Sequence, residues 1–259
     1  MRAIITGASS GIGLALAREL AKRGWDLALL ARRGDLLDAV AAELRARGRR
    51  ISVVACDVAD GEAVRSAVQQ AESELGGSFD LAIANAGISV PSHAASFSAS
   101  EAEHLLRVNI FGVLYLYDAV IPSMIEKGAG RFSAVASIAG LRGLPTSGPY
   151  SASKAAVQAF LESARIELAD YGVGVSIVNP GWVRTPLTAK NRFPMPFLME
   201  PEESAVVIAD GLERGQRLIE FPRPMSLLMR TIRLVPDALY EAILRPYARR
   251  KIDRSRVRR

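Results

Sequence analysis

Two rhythms of apolar positions alternate along most of this chain. Short runs at residues 3–6, 26–31, 51–56, 81–84, 132–136 and 173–178 are apolar nearly throughout, with the length and continuity of strands buried on both faces. Between them, apolar residues recur at spacings of three and four. Leu14, Leu16, Ala17, Leu20 and Ala21 mark a helix over 13–23, stopped by Gly24. The same pattern predicts helices over 36–47, 62–75, 105–126 and 151–171, with Pro122 a kink or an end in the fourth of these five. Strands alternating with helices predict an α/β chain: a doubly wound parallel sheet of the Rossmann type, with helices on both faces.

In such a sheet, ligands bind beyond the carboxyl ends of the strands, so candidate chemistry is sought there. After the first strand, Thr6-Gly7-Ala8-Ser9-Ser10-Gly11-Ile12-Gly13 opens a helix. Glycines at these places permit a tight turn and let a pyrophosphate approach backbone N–H groups at a helix N-terminus. The loop lacks a Gly-Lys-Ser/Thr ending, which disfavours a triphosphate-binding loop. The second strand ends in Arg32 and Arg33, where the adenosine ribose is read, while its acid, Asp26, stands at the opposite end. Two guanidinium groups suit a 2′-phosphate and predict NADP, unless they are a solvated charge pair. Later strands end in Asp57-Val58, Asn85-Ala86-Gly87, Ser137 and Asn179-Pro180-Gly181-Trp182-Val183-Arg184-Thr185. Tyr150 and Lys154 lie four apart and share a helix face. An ammonium beside a phenol favours phenolate, which predicts a lowered tyrosine pKa and a usable acid/base.

In type, order and spacing, these motifs resemble those of the short-chain dehydrogenases/reductases, in their compact single-domain branch, over roughly residues 1–190. The resemblance implies an NADP-dependent oxidoreductase that moves a hydride between the nicotinamide and a carbonyl or alcohol substrate. It implies a catalytic set of Asn109, Ser137, Tyr150 and Lys154. Tyr150 would exchange the proton and Ser137 would hold the substrate oxygen. Lys154 would bind the nicotinamide ribose, and Asn109 would support a water relay to Lys154. The cofactor would lie along Gly7, Ser9, Ser10, Gly11, Ile12 and Gly13, with Arg32 and Arg33 at its 2′-phosphate. Asp57 and Val58 would meet the adenine, and Asn85, Ala86 and Gly87 the adenosine ribose. Pro180, Gly181, Val183 and Thr185 would hold the nicotinamide end. One departure is Ala84-Asn85, where the family commonly has two asparagines. The family also implies a homodimer or homotetramer through helices 105–126 and 151–171, the second offering small residues at Ala155, Ala156, Ala159 and Ser163. A non-catalytic NADP-binding sensor or scaffold is the rival reading. An extended-branch epimerase or dehydratase fits less well, given the three-residue gap between Gly7 and Gly11 and the short C-terminal part.

Composition adds bounds. Apolar residues make up 49% of the chain and charged residues 23%, enough for a large core. One cysteine, Cys56, excludes a disulfide framework, and His93 and His104 share no ligand spacing, so no metal is expected. No leader-like segment precedes the first strand, and no apolar run reads as the ~18 residues of a spanning helix; a cytoplasmic location is expected. Net charge is +6 but uneven: residues 223–259 hold eleven Lys/Arg against three Asp/Glu, leaving 1–222 at −2. The chain is therefore read as an NADP-binding catalytic domain over 1–222 and a basic, partly helical C-terminal extension over 223–259. In the extension, Met225, Leu228, Met229 and Ile232 recur at helical spacing, and a second short helical segment covers 238–244. Apolar faces edged by arginine suit docking on the domain, or weak contact with an anionic membrane surface. Nucleic acid is not an expected partner, because the charge is not spread over a folded face with stacking aromatics. Residues 187–201, rich in Phe, Pro and Met, follow the last strand as either an apolar lid or a packing loop. Glu72, Glu74, Glu202 and Glu203 read as solvated charges or helix-start acids.

Overall fold

The computed structural model describes residues 1–191 and 193–250. Its strands are β1 (Arg2–Thr6), β2 (Asp26–Ala31), β3 (Ile51–Ala55), β4 (Leu81–Ala84), β5 (Gly130–Val135), β6 (Val173–Pro180) and β7 (Leu218–Phe221). They form one sheet in the order β3-β2-β1-β4-β5-β6-β7, with every neighbouring pair parallel. The chain thus winds outward from β1 in both directions. The order reverses between β1 and β4, and a crevice opens there at the carboxyl ends.

Side chains alternate across the sheet, so each strand feeds two cores. Ile5, Leu29, Ile83 and Val178 face α1 (Gly11–Lys22), α2 (Gly34–Arg45) and α7 (Pro201–Glu213), meeting Leu16, Leu37 and Ile208. Ile4, Leu30, Phe132 and Ile177 face α3 (Gly61–Leu75), α5 (Gly112–Lys127) and α6 (Gly148–Glu167), meeting Val64, Leu116 and Leu161. Burial on both faces explains why the strand runs read as apolar throughout. The doubly wound parallel sheet expected from the pattern is the sheet the chain forms.

The helix expected over 105–126 is longer and interrupted. It begins as α4 (Ala99–Leu106), where the Ser98 hydroxyl accepts the Glu101 N–H, and passes through a π turn over Arg107–Phe111 into α5. Pro122 does not end it; α5 runs to Lys127 and stops at Gly128. Proline removes the bond to the Asp118 carbonyl, but both residues are exposed, so water can serve that group. By length and composition alone, the run Ala99–Lys127 could cross a membrane, contrary to the sequence reading. Its apolar character has another use: Val113, Leu116, Val120, Ile121 and Met124 sit in the core. Glu72 also departs from expectation. It is half-buried with Oε1 unpartnered among the described residues, and burial raises its pKa.

The C-terminal part packs on the sheet's carboxyl edge. In α8 (Arg223–Leu234), Met225, Met229 and Ile232 rest on Ile138, Leu141, Leu144 and Trp182. α9 (Asp237–Arg250) follows after a short turn. Arg142 stitches both helices down. Its guanidinium donates to the carbonyls of Ile232 and Val235 at 2.6 Å each and to Asp237 at 2.7 Å, and stacks on Tyr240 at 3.9 Å. The Tyr240 hydroxyl donates to the Gly143 carbonyl at 2.7 Å. Residues 251–259 of the basic extension lie outside the described residues.

Candidate active site

Because all strands are parallel, every predicted site residue falls on one edge of the sheet. Gly7 through Gly13 bridge β1 to α1. Gly7 adopts φ +68°, the left-handed region. Gly13 is close-packed: a Cβ there would sit 2.4 Å from the Gly7 carbonyl oxygen and 2.4 Å from Asn85 Nδ2. Asn85 fastens the loop by donating Nδ2 to the Thr6 carbonyl at 2.9 Å. The Thr6 hydroxyl accepts the Asn85 and Ala86 N–H groups at 3.0 and 3.1 Å. Thus the β1 and β4 ends, on either side of the crevice, are one bonded unit.

This cradle fits a dinucleotide. Ser10 occupies the N-cap of α1 but does not cap it with its hydroxyl, so the first-turn N–H groups keep their positive end for a phosphate. Arg33 donates Nη2 to the Ser9 and Ser10 hydroxyls, both at 3.0 Å, which brings a guanidinium from the β2 end onto the glycine loop. Arg32 is exposed beside it. Asp57 turns one carboxylate oxygen to the Ala59 N–H at 3.0 Å. Val58 is buried against Gly112 and can offer a ligand only its backbone. The Cys56 thiol below it is held protonated, pushed up to about 11 by burial and by Asp57 and Asp60.

At the β5 and β6 ends the catalytic types converge. Ser137 follows β5, and its hydroxyl accepts the Ala139 N–H at 3.1 Å and donates to the Pro180 carbonyl at 3.4 Å. Tyr150 and Lys154 project from the first turns of α6. Lys154 is nearly fully buried; Nζ donates to the Val135 carbonyl at 2.8 Å and lies 5.8 Å from the centre of the Tyr150 ring. Burial drives its pKa down to about 8. The tyrosine differs from the sequence expectation. Burial of the phenol raises its pKa, the Ser137 hydroxyl opposes that rise, and Lys154 spends its ammonium on Val135. Desolvation therefore outweighs the neighbouring charge in the protein alone.

Asn109 lies in the π turn, fully buried. Its Oδ1 accepts the Ile88 N–H at 2.8 Å, and Nδ2 donates to the Ile88 carbonyl at 3.0 Å and to Ser153 Oγ at 3.1 Å. A Cβ on Gly87 would lie 3.3 Å from Asn109 Oδ1 and 3.5 Å from Lys154 Nζ, so these groups are neighbours. The Asn109 side chain is committed to the backbone after β4. Pro180 ends β6, and Gly181 donates its N–H to the Phe221 carbonyl at 2.6 Å. Val183 and Thr185 are tied by Thr188, whose hydroxyl donates to the Val183 carbonyl at 2.6 Å and accepts the Thr185 N–H at 3.0 Å. The apolar stretch after it is pinned at its base: Met199 donates to the Trp182 carbonyl, Arg184 donates to that of Met199, and the Phe193 ring meets Trp182 at 5.4 Å. Sequence reading gave no role to Thr6, Ser153 or Thr188. Thr6 directly precedes the glycine loop and Ser153 sits between Tyr150 and Lys154, so position alone could have flagged those two.

Comparison with known proteins agrees with this geometry. The family model for short chain dehydrogenase matches residues 1–195. An "uncharacterized oxidoreductase" of Myxococcus xanthus is 37% identical, with 94% of this chain and 96% of that protein covered. A short-chain dehydrogenase/reductase of Burkholderia phymatum, solved in complex with NAD, superposes with TM-score 0.82 at 25% identity, covering 88% and 91% of the two chains. An alcohol dehydrogenase of the archaeon Thermococcus sibiricus, solved with 5-hydroxy-NADP, gives 0.77 at 30% identity, covering 85% and 94%. The chain belongs to the short-chain dehydrogenase/reductase family of oxidoreductases, whose fold binds a nicotinamide cofactor.

Proposed function

We propose that the protein is an NADP-dependent enzyme interconverting an apolar carbonyl compound and its alcohol, with Tyr150 as the proton donor and acceptor. The observation that carries this reading is the meeting of Tyr150, Ser137 and Lys154 at the carboxyl ends of β5 and β6. Bound NADPH would supply the hydride to the carbonyl carbon. The Tyr150 hydroxyl would give its proton to the carbonyl oxygen, and Ser137 would hold that oxygen by a hydrogen bond. A phenol kept protonated by burial suits reduction, in which the tyrosine starts as the acid. Arg33 on the glycine loop supports a 2′-phosphate. The exposed apolar side chains Leu187 and Phe197, in the stretch that follows β6, support an apolar substrate.

The test is NADPH consumption with a panel of aldehydes and ketones. Wild type should turn over, and Tyr150→Phe should bind NADPH normally yet lose almost all turnover. Arg33→Ala should erode the preference for NADPH over NADH by roughly 1.5–3 kcal/mol in titrations. Full activity in Tyr150→Phe would remove the proposed acid, and equal affinity for both cofactors in wild type would remove the NADP assignment. Tight NADPH binding with no turnover on any carbonyl would instead favour a sensor or scaffold.

A further inference from the structure

α8 and α9 do not use up their apolar surface on the domain. In α8, Met225, Met229 and Ile232 form the docked strip. A second strip on the outer side carries Leu227 and Leu234, 68% and 83% exposed, while Leu228, 49% exposed, edges the docked strip. In α9, Tyr240, Leu244 and Ala248 repeat every fourth residue on the partly buried side. Leu239 and Ile243, 53% and 61% exposed, repeat beside them. Single exposed leucines need no explanation, but two consecutive helices that each dock by one strip and present another do.

Charge indicates what covers the outer strips. By helical rotation of 100° per residue, Arg223, Arg230 and Arg233 fall between the docked and the exposed apolar strips of α8; Arg230 is ion-paired with Glu220 at 2.9 Å, so Arg223 and Arg233 carry the positive edge. Arg245 lies on α9, and the sequence continues with seven Lys/Arg and one Asp over 249–259. A second copy of this chain would bring those positive charges against their own kind. Nucleic acid would leave the leucines without a partner. An apolar strip edged by arginines, whose stems can lie on lipid while their heads reach phosphate, matches an anionic bilayer surface. We propose that α8 and α9 form a docking surface for an anionic lipid bilayer, held in place by Arg142. The docked strip of α8 rests on Leu141, Leu144 and Trp182, so docking would bring the Ser137 end of the sheet to the surface from which an apolar substrate partitions. That consequence rests on the proposed reductase reading; the docking itself does not.

Co-sedimentation of the full chain tests it, with vesicles of phosphatidylcholine alone and of phosphatidylcholine and phosphatidylglycerol in equal parts. The protein should bind the mixed vesicles in preference to the neutral ones, more weakly as salt rises. Leu234→Gln/Ile243→Gln, checked for native circular dichroism, should bind about tenfold more weakly or worse. Equal binding to both vesicles, no binding to either, or unchanged binding by the double variant would overturn the proposal. So would a fall in oligomeric mass in the double variant, because the strips would then be covered by a second copy.

Discussion

Lys154 carries a charge into a nearly dry place, being 5% exposed with the Val135 carbonyl as its bonded partner. The native group loses its proton near pH 8, against 10.5 for an ordinary lysine. Between those values the unfolded state binds the extra proton, so stability rises with pH across that window and is lowered below it. The shift corresponds to something on the order of 3 kcal/mol at neutral pH. Lys154→Met removes the buried charge and forfeits one hydrogen bond, worth about 1 kcal/mol. Without cofactor, this variant should be more stable than wild type to urea at pH 7, and the gap should close by pH 10. A gap that ignores pH would mean the ammonium is better solvated than its burial indicates. The identity of the residue was legible in the sequence, through its spacing from Tyr150. Its electrostatics were not, because the predicted lowering of the tyrosine pKa assumed that the ammonium faces the phenol. Which of two effects wins at a buried pair depends on depth and on the third partner, here Val135, and neither is written in a four-residue spacing.

At the scale of elements, the glycine loop and its partners were legible because each motif residue occupies a strand end. What joins them was not. Asn85 was expected to flank the ribose, yet its amide also locks the β1 turn to β4. Gly13→Ala tests how far that lock tolerates bulk. The new methyl would meet the Gly7 carbonyl oxygen at 2.4 Å, and a backbone atom in a bonded turn cannot step aside cheaply. Overpacking of this kind costs roughly 1–3 kcal/mol. The variant should lose that much in urea unfolding and lose NADPH binding as the loop shifts. Gly143→Ala, where a Cβ would meet nothing within 4 Å, should change neither. Two of the elements missing from the sequence reading, β7 and the π turn, leave little pattern in the sequence. β7 is a four-residue edge strand with Glu220 at its third position, neither long nor apolar enough to stand out. It is a strand because β6 offers it a ladder, and because Glu220 finds Asn179 at 3.1 Å and Arg230 at 2.9 Å. The π turn of Arg107–Phe111 leaves no periodic signature either, since one extra residue merely shifts the phase of two amphipathic halves.

For the whole molecule, the question is which surfaces remain after the sheet has covered itself. α5 lies over β4 and β5 and α6 over β6, meeting where Tyr117 stands edge-on to Phe132 at 5.2 Å and to Phe160 at 4.9 Å. Their inner sides are core. Outward, Phe111 is 44% exposed and Ile166 79%, and Ala152, Ala159 and Ser163 leave part of α6 low enough for a helix to approach closely. A strip of small residues between two exposed large apolar ones fits a two-fold interface, where each copy presents the same patch to the other. The family commonly assembles, and the sequence expectation of pairing through helices 105–126 and 151–171 pointed to the same helices. Light scattering at micromolar concentration should therefore return the mass of a dimer or tetramer. Ala159→Arg should shift that mass toward the monomer, because it sets a like charge against itself across the two-fold axis. Urea unfolding of the isolated subunit should change little, since the site is exposed. A wild-type monomer would refute the interface outright, and an unmoved oligomer in Ala159→Arg would shift it to another face. The proposed assembly is separable from the proposed lipid docking: α5 and α6 would hold copies together while α8 and α9 stay free. A variant altered at Ala159 should therefore still sediment with anionic vesicles, though more weakly where binding benefits from two copies docking at once.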